Sequence, residues 1–214
     1  MVDAYTRIFL MDLSLSELKD LVFNACMGSN LPTGVCEDLS FGVTFLESRS
    51  LAGSKELLNS LKCERHPPVS PQKNGLCLIF KNARAIFEGL SAIDFLVSEV
   101  CDSVVLENID SPMLLIGLAS NYTGVSFSFF DNRKIFASLQ NEEIIWNHDH
   151  YKYSNVVEIR LKHSSLENIL NRCKRVSLDD TTFSELANLS SNMLVPESEL
   201  SRERGAGAGN IDND

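Results

Sequence analysis

VSFSFFDNRKIFASL, residues Val125 to Leu139, decides the class of fold. Val125, Phe127 and Phe129 alternate with Ser126 and Ser128. That is the period of a strand with one polar face. Asp131-Asn132-Arg133 is a turn signal, so Lys134 to Leu139 is the return arm of a hairpin. Working outward, Glu143 to Trp146 and Val156 to Lys162 read as two further strands, and Leu76 to Phe80 as a short one. Met113 to Ala119 is continuously apolar and is expected to be a strand buried on both faces. Residues 91–104 carry a helical stripe of Ile93, Leu96, Val97, Val100, Cys101 and Val104, with Ser91 and Asp94 resembling a cap. The middle of the chain, 76–176, is therefore α+β, a mostly antiparallel sheet with a packed helix.

Helices flank this region. Ser14 and Glu17 form an S-x-x-E capping box before an apolar stripe of Leu15, Leu18, Leu21, Val22, Ala25 and Cys26. A second helix runs from Thr33 or Gly34 to about Arg49 on Val35, Leu39, Val43 and Leu46. Gly42 would let another backbone approach it closely. A third spans Ser54 to Leu61. These form a helical subdomain over 1–61, and the proline-rich 62–75 is a candidate joint. Ser164 to Arg172 reads as a short helix. A firmer helix starts at a Ser177 or Asp179 cap, and 177–214 comprises it and an extended Gly-rich tail, the whole chain forming one compact domain.

Hydrophobic residues make up 44% of the 214, enough for a real core. The formal net charge of −10 disfavours general binding to nucleic acid or to anionic membranes. No apolar run approaches the ~20 residues that span a bilayer. No signal peptide is visible at the N-terminus, so the expected location is the cytoplasm. Cys26, Cys36, Cys63, Cys77, Cys101 and Cys173 contain no C-x-x-C and read as buried, reduced thiols.

No G-x-S-x-G elbow, Walker loop or H-E-x-x-H is present. His148 and His150 would point to one side of a strand, as two ligands of one metal ion must, but spacing offers no third ligand. Glu142-Glu143 and Asp179-Asp180 pair carboxylates in sequence, the first at a strand edge and the second at a helix cap. The remaining unusual segment is the tail. Ser198, Glu199, Ser201 and Arg202 precede alternating Gly205, Gly207 and Gly209, and Asp212-Asn213-Asp214 follows. The glycines suit a tether or hinge better than a phosphate cradle, because the run follows a helix rather than preceding one. The acids suit a cation or a basic pocket that receives an acidic plug.

The tail P-E-S-E-x-S-R-x-x-G-A-G-A-G-x-x-D-N-D resembles the C-terminal signature of a family of small proteobacterial proteins of unknown function. Ser14 to Gly53 resembles the start of the same family, although Thr33 stands where an aromatic such as Trp is usual. The resemblance implies a bacterial cytosolic protein and a role in recognition for Ser198, Glu199, Ser201, Arg202 and Asp212 to Asp214. It leaves the activity and any cofactor unknown. Two functions are expected. One is an interaction or accessory protein whose Gly-jointed tail docks into a protein partner or a second copy. The other is a small-molecule enzyme or binding domain closed by its own tail. In it Glu197, Glu199 or Asp212 would serve as acid, base or ligand, and Arg202 would hold a small anion. Asp214 would close the same pocket, and Glu37 and Asp38 would share the cleft.

Overall fold

Ser14 and Asp179 each end a strand and begin a helix. Ser14 closes β1 (Leu10–Ser14) and caps α1 (Leu15–Gly28). Its hydroxyl accepts from the Glu17 amide at 3.2 Å, and the Glu17 carboxylate accepts from the Ser14 amide at 2.7 Å, the expected capping box. Asp179 closes β9 (Arg175–Asp179) and caps α6 (Asp180–Ser191), accepting from the Thr182 amide at 3.0 Å. β1 and β9 pair antiparallel, which lays α1 beside α6. Gly28 is needed there, since a Cβ would stand 1.9 Å from the Leu189 carbonyl oxygen. A computed structural model describes residues 10–63, 69–147, 156–161 and 169–193.

α2 (Thr33–Glu47) and α3 (Gly53–Lys62) complete the N-terminal helices. Among the described residues the central sheet has seven strands. They are β2 (Gln72–Asn74), β3 (Cys77–Lys81), β4 (Ser103–Glu107), β5 (Phe127–Asp131), β6 (Lys134–Gln140), β7 (Glu143–Trp146) and β8 (Val156–Leu161). Their order is β2-β3-β4-β8-β5-β6-β7, and of the described pairs only β3 and β4 run parallel. A π-helical turn (Ala85–Gly89) and α4 (Leu90–Val97) make that crossover, as a parallel pair requires. α4 packs on β4 and β8. The fold is α+β, with helices against a mostly antiparallel sheet.

Several expectations are corrected. Met113 to Ala119 lies in a helix, α5 (Pro112–Ala119), and every residue of it is buried. A continuous apolar run suits a wholly buried helix as well as a buried strand. Pro112 in the first turn and the Gly42–Gly117 crossing decide for helix. At that crossing a Cβ on Gly42 would lie 2.8 Å from the Gly117 carbonyl carbon, the close approach expected of Gly42. β5 has no exposed polar face: Ser128 is buried, its hydroxyl 3.2 Å from that of Ser138. Pairing the two hydroxyls removes the cost of hiding them. α4 stops at Val97, because Glu99 adopts a left-handed φ of +56°, and Val104 lies in β4 instead. Ser91 and Asp94 lie inside α4, not at its cap. Ile169 bridges to Ile145 rather than lying in a helix. Ser177 belongs to β9, and Asp179 alone caps α6. All six cysteines are free, but Cys63 and Cys173 are exposed rather than buried.

Candidate ligand-binding site

α2 presents two faces. Leu39, Val43 and Leu46 face the core. Asp38, Phe41 and Phe45, with Arg49 just past the helix end, recur at three- and four-residue spacing and share a second face. That second face, with Leu15, Ser16 and Lys19 of α1, forms one wall of a cleft of about 550 Å³. Ser120, Asn121 and Thr123 after α5, Glu142 in the β6–β7 turn, and Arg172 complete it.

The cleft combines apolar rings with fixed cations. Phe41 is 57% exposed, and the Lys19 ammonium sits over its ring, 3.6 Å from the centroid. Arg49 is only 7% exposed, and its guanidinium stacks on the Phe45 ring at 3.6 Å. Its Nη1 donates to the Phe45 carbonyl at 3.1 Å and to the Ser48 hydroxyl at 2.8 Å, and its Nη2 donates to the Glu142 carbonyl. Asn141 and Glu142 both have positive φ, +48° and +65°. A glutamate there costs on the order of 1 kcal/mol, which the Arg49 contact helps to offset. The amide next to Arg172, that of Cys173, donates to the Ser48 carbonyl at 2.6 Å, pinning Arg172 beside α2.

Burial, and then the charge of Arg172, press the Arg49 guanidinium toward its neutral form, while Glu142 and Glu143 oppose them. Among the described residues neither Lys19, Arg49 nor Arg172 makes an ion pair. The Nε–H of Arg49 and the hydroxyl of Thr44, both in lining residues, are buried without a hydrogen-bond partner. A buried charge with an unfilled donor costs several kcal/mol unless an anion or water completes it.

A second cavity of about 540 Å³ meets the first at Asp38, which lines both. The Asn121 side-chain amide donates to the Asp38 carbonyl at 3.2 Å and to its carboxylate at 3.3 Å, holding Asp38 at the junction. Tyr122 donates its phenol to Asp94 of α4. Burial raises the Asp38 carboxyl above its ordinary range, and the charges of Asp94 and Glu37 add to the effect. Burial and the bond to Asp94 likewise keep the Tyr122 phenol protonated.

Of the residues singled out in the sequence, Asp38 and Glu142 line the cleft and Glu37 is exposed beside Asp38. Ser198, Glu199, Ser201, Arg202, Gly205, Gly207, Gly209, Asp212, Asn213 and Asp214 lie outside the described residues, as do Glu197, His148 and His150. Among the described residues no group of three or more His, Cys, Asp or Glu is placed to hold a metal ion. No described helix is long and apolar enough to cross a membrane. Lys19, Phe41, Phe45, Arg49, Asn121 and Arg172 were not singled out by sequence. The available signal was two phenylalanines off the core stripe of α2, followed by an arginine four residues on.

Residues 13–85 match the model of a family described as proteins of unknown function, DUF3726. That span carries the α1 and α2 wall of the cleft. No curated protein matches the chain. Among solved structures the chain is similar to malate dehydrogenase from Pyrococcus horikoshii OT3. The TM-score is 0.43 at 10% identity, over 56% of this chain and 40% of that one. Sulfolactate dehydrogenase from Methanocaldococcus jannaschii gives 0.43 at 11%, over 79% and 50%. Malate dehydrogenase from Entamoeba histolytica gives 0.42 at 8%, over 64% and 45%. The chain thus spans 40% to 50% of the length of these structures, and likeness at this level assigns it no activity.

Proposed function

We propose that the chain is a small-molecule binding domain whose α1–α2 cleft takes an anionic ligand with a flat apolar portion. The observation that carries this is Arg49, buried in the cleft wall, stacked on Phe45, and without an ion pair among the described residues. Lys19 and Arg172 add charge at the rim, and Phe41 adds an exposed ring. Of the two functions expected from sequence, this favours the pocket over the docking tail. The tail fits the same reading as a competitor, since Asp212 and Asp214 carry the charge that the three cations would receive. The free thiols and the absence of a membrane-crossing helix among the described residues are consistent with the proposed cytoplasmic location.

Calorimetric titration of the full chain with 4-methylbenzoate, 4-methylphenyl phosphate and the neutral 4-methylbenzyl alcohol tests the proposal. At least one anion should bind saturably and the alcohol should not. Lys19→Ala and Arg172→Ala, both at the cleft rim, should each weaken the anion roughly three- to tenfold. Equal binding of alcohol and anions, or affinities indifferent to both substitutions, would sink it.

A further inference from the structure

We infer that the ligand is dipolar: its anionic end lies in the cationic cleft, and an amine at its other end is received by Asp38 and Asp94 in the adjoining cavity. This rests on the reading of the first cleft just given.

The two cavities carry opposite charge and share one side chain. The first holds three cations, Lys19, Arg49 and Arg172, against two carboxylates, Glu142 and the shared Asp38. Among the described residues lining the second there are three carboxylates and no lysine or arginine. The Glu88 carboxylate is fully engaged, accepting from the Arg84 and Val69 amides at 2.9 and 3.0 Å. Asp38 and Asp94 are different. Each accepts one neutral donor, Asn121 or Tyr122, and neither makes an ion pair among the described residues.

Cations in one cavity and carboxylates in the other thus stand without ion pairs among the described residues, with Asp38 lining both cavities. Pairing them directly would lower the energy, but Asp38 is tied to Asn121, and Arg49 to the Phe45 and Glu142 carbonyls. A ligand with charges of both signs satisfies both ends at once. Arg49, stacked on Phe45 in the cleft wall and without an ion pair among the described residues, marks the anionic end independently of the acids. Aromatic rings in the second cavity, among them Tyr122, suit an ammonium, which is attracted to ring faces.

The test compares 4-(aminomethyl)benzoate with 4-methylbenzoate, which lacks the amine, and with 4-methylbenzylamine, which lacks the carboxylate. On the full chain, the zwitterion should bind roughly tenfold tighter than 4-methylbenzoate. Asp94→Asn keeps an acceptor for the Tyr122 phenol and should preserve folding. It should erase that advantage to within about twofold while leaving 4-methylbenzoate unchanged, and Asp38→Asn should reduce the same advantage. A zwitterion no tighter than 4-methylbenzoate overturns the inference but leaves the anionic cleft standing. Survival of the advantage in both variants also overturns it, as does 4-methylbenzylamine binding as tightly as the zwitterion. If none of the anionic probes binds, the cleft reading falls and takes the inference with it.

Discussion

Glu56→Gln should remove a pH-dependent weakness from the fold. Glu56 lies on α3, half-buried, and its carboxyl is pushed up to about 7, first by burial and then by the charge of Asp110. Asp110 is itself committed, accepting from the Ser60 hydroxyl at 2.6 Å and from the Ala85 amide at 2.8 Å. A carboxyl with a raised folded pKa holds its proton more tightly folded than unfolded. Its contribution is most favourable below the unfolded value of about 4.5, and it is lost as pH rises through about 7. A difference of about 2.5 in pKa corresponds to about 3 kcal/mol, and roughly 2 kcal/mol once residual solvent screening is allowed for. Glutamine mimics the protonated form and does not titrate. Urea unfolding of both proteins at pH 5 and pH 8 isolates the effect, because every other group cancels in the comparison. The two should be close at pH 5. At pH 8 the variant should be more stable by roughly 2 kcal/mol, or about 4–8 °C in Tm. A wild-type-to-variant difference that is the same at both pH values would refute the reasoning.

Gly42→Ala should cost about 2–4 kcal/mol in urea unfolding, because its Cβ meets the Gly117 main chain at 2.8 Å and two packed helix backbones must part. Gly34→Ala on the same helix has open space around it and should change stability by less than about 1 kcal/mol; equal costs at the two sites would disprove the close-crossing argument. Deleting Gly205 to Asp214 should raise the affinity for 4-methylbenzoate several-fold if Asp212 and Asp214 compete for Lys19, Arg49 and Arg172. An unchanged affinity would separate the tail from the cleft.

Local chemistry was legible from sequence. The Ser14–Glu17 capping box, the Asp179 cap and the hairpin around Asn132-Arg133 are each set by a few adjacent residues, and each stands where expected. Met113 to Ala119 was not legible, because burial on all sides removes the periodicity that tells helix from strand. β1 and β9 were missed for a related reason: two five-residue strands that pair across most of the chain carry no local signal. The cleft was hidden more deeply. Lys19, Arg49, Asn121, Glu142 and Arg172 come from five separate segments, and only the stripe on α2 leaves a trace in one window. The tail, the most unusual segment in composition, lies outside the described residues, and the clefts stand on residues that composition did not mark.

The packing that was read correctly also bears on the site that was not. Gly42 and Gly117 bring α2 and α5 into backbone contact, and α5 ends two residues later at Ala119. The chain leaving it therefore has no freedom to stand off from α2. Asn121 is delivered onto Asp38, and Tyr122 reaches Asp94 of α4 in the next residue. One crossing thus fixes both the stability of the helical layer and the junction between the two cavities. Separation at Gly42 would lift Asn121 from Asp38 before it disturbed Arg49, which is held from the far end of α2 by Phe45 and Glu142. The amine end of the hollow depends on the glycine crossing, and the anionic end on the strained β6–β7 turn. The two ends are built by different parts of the fold and, among the described residues, share Asp38 alone.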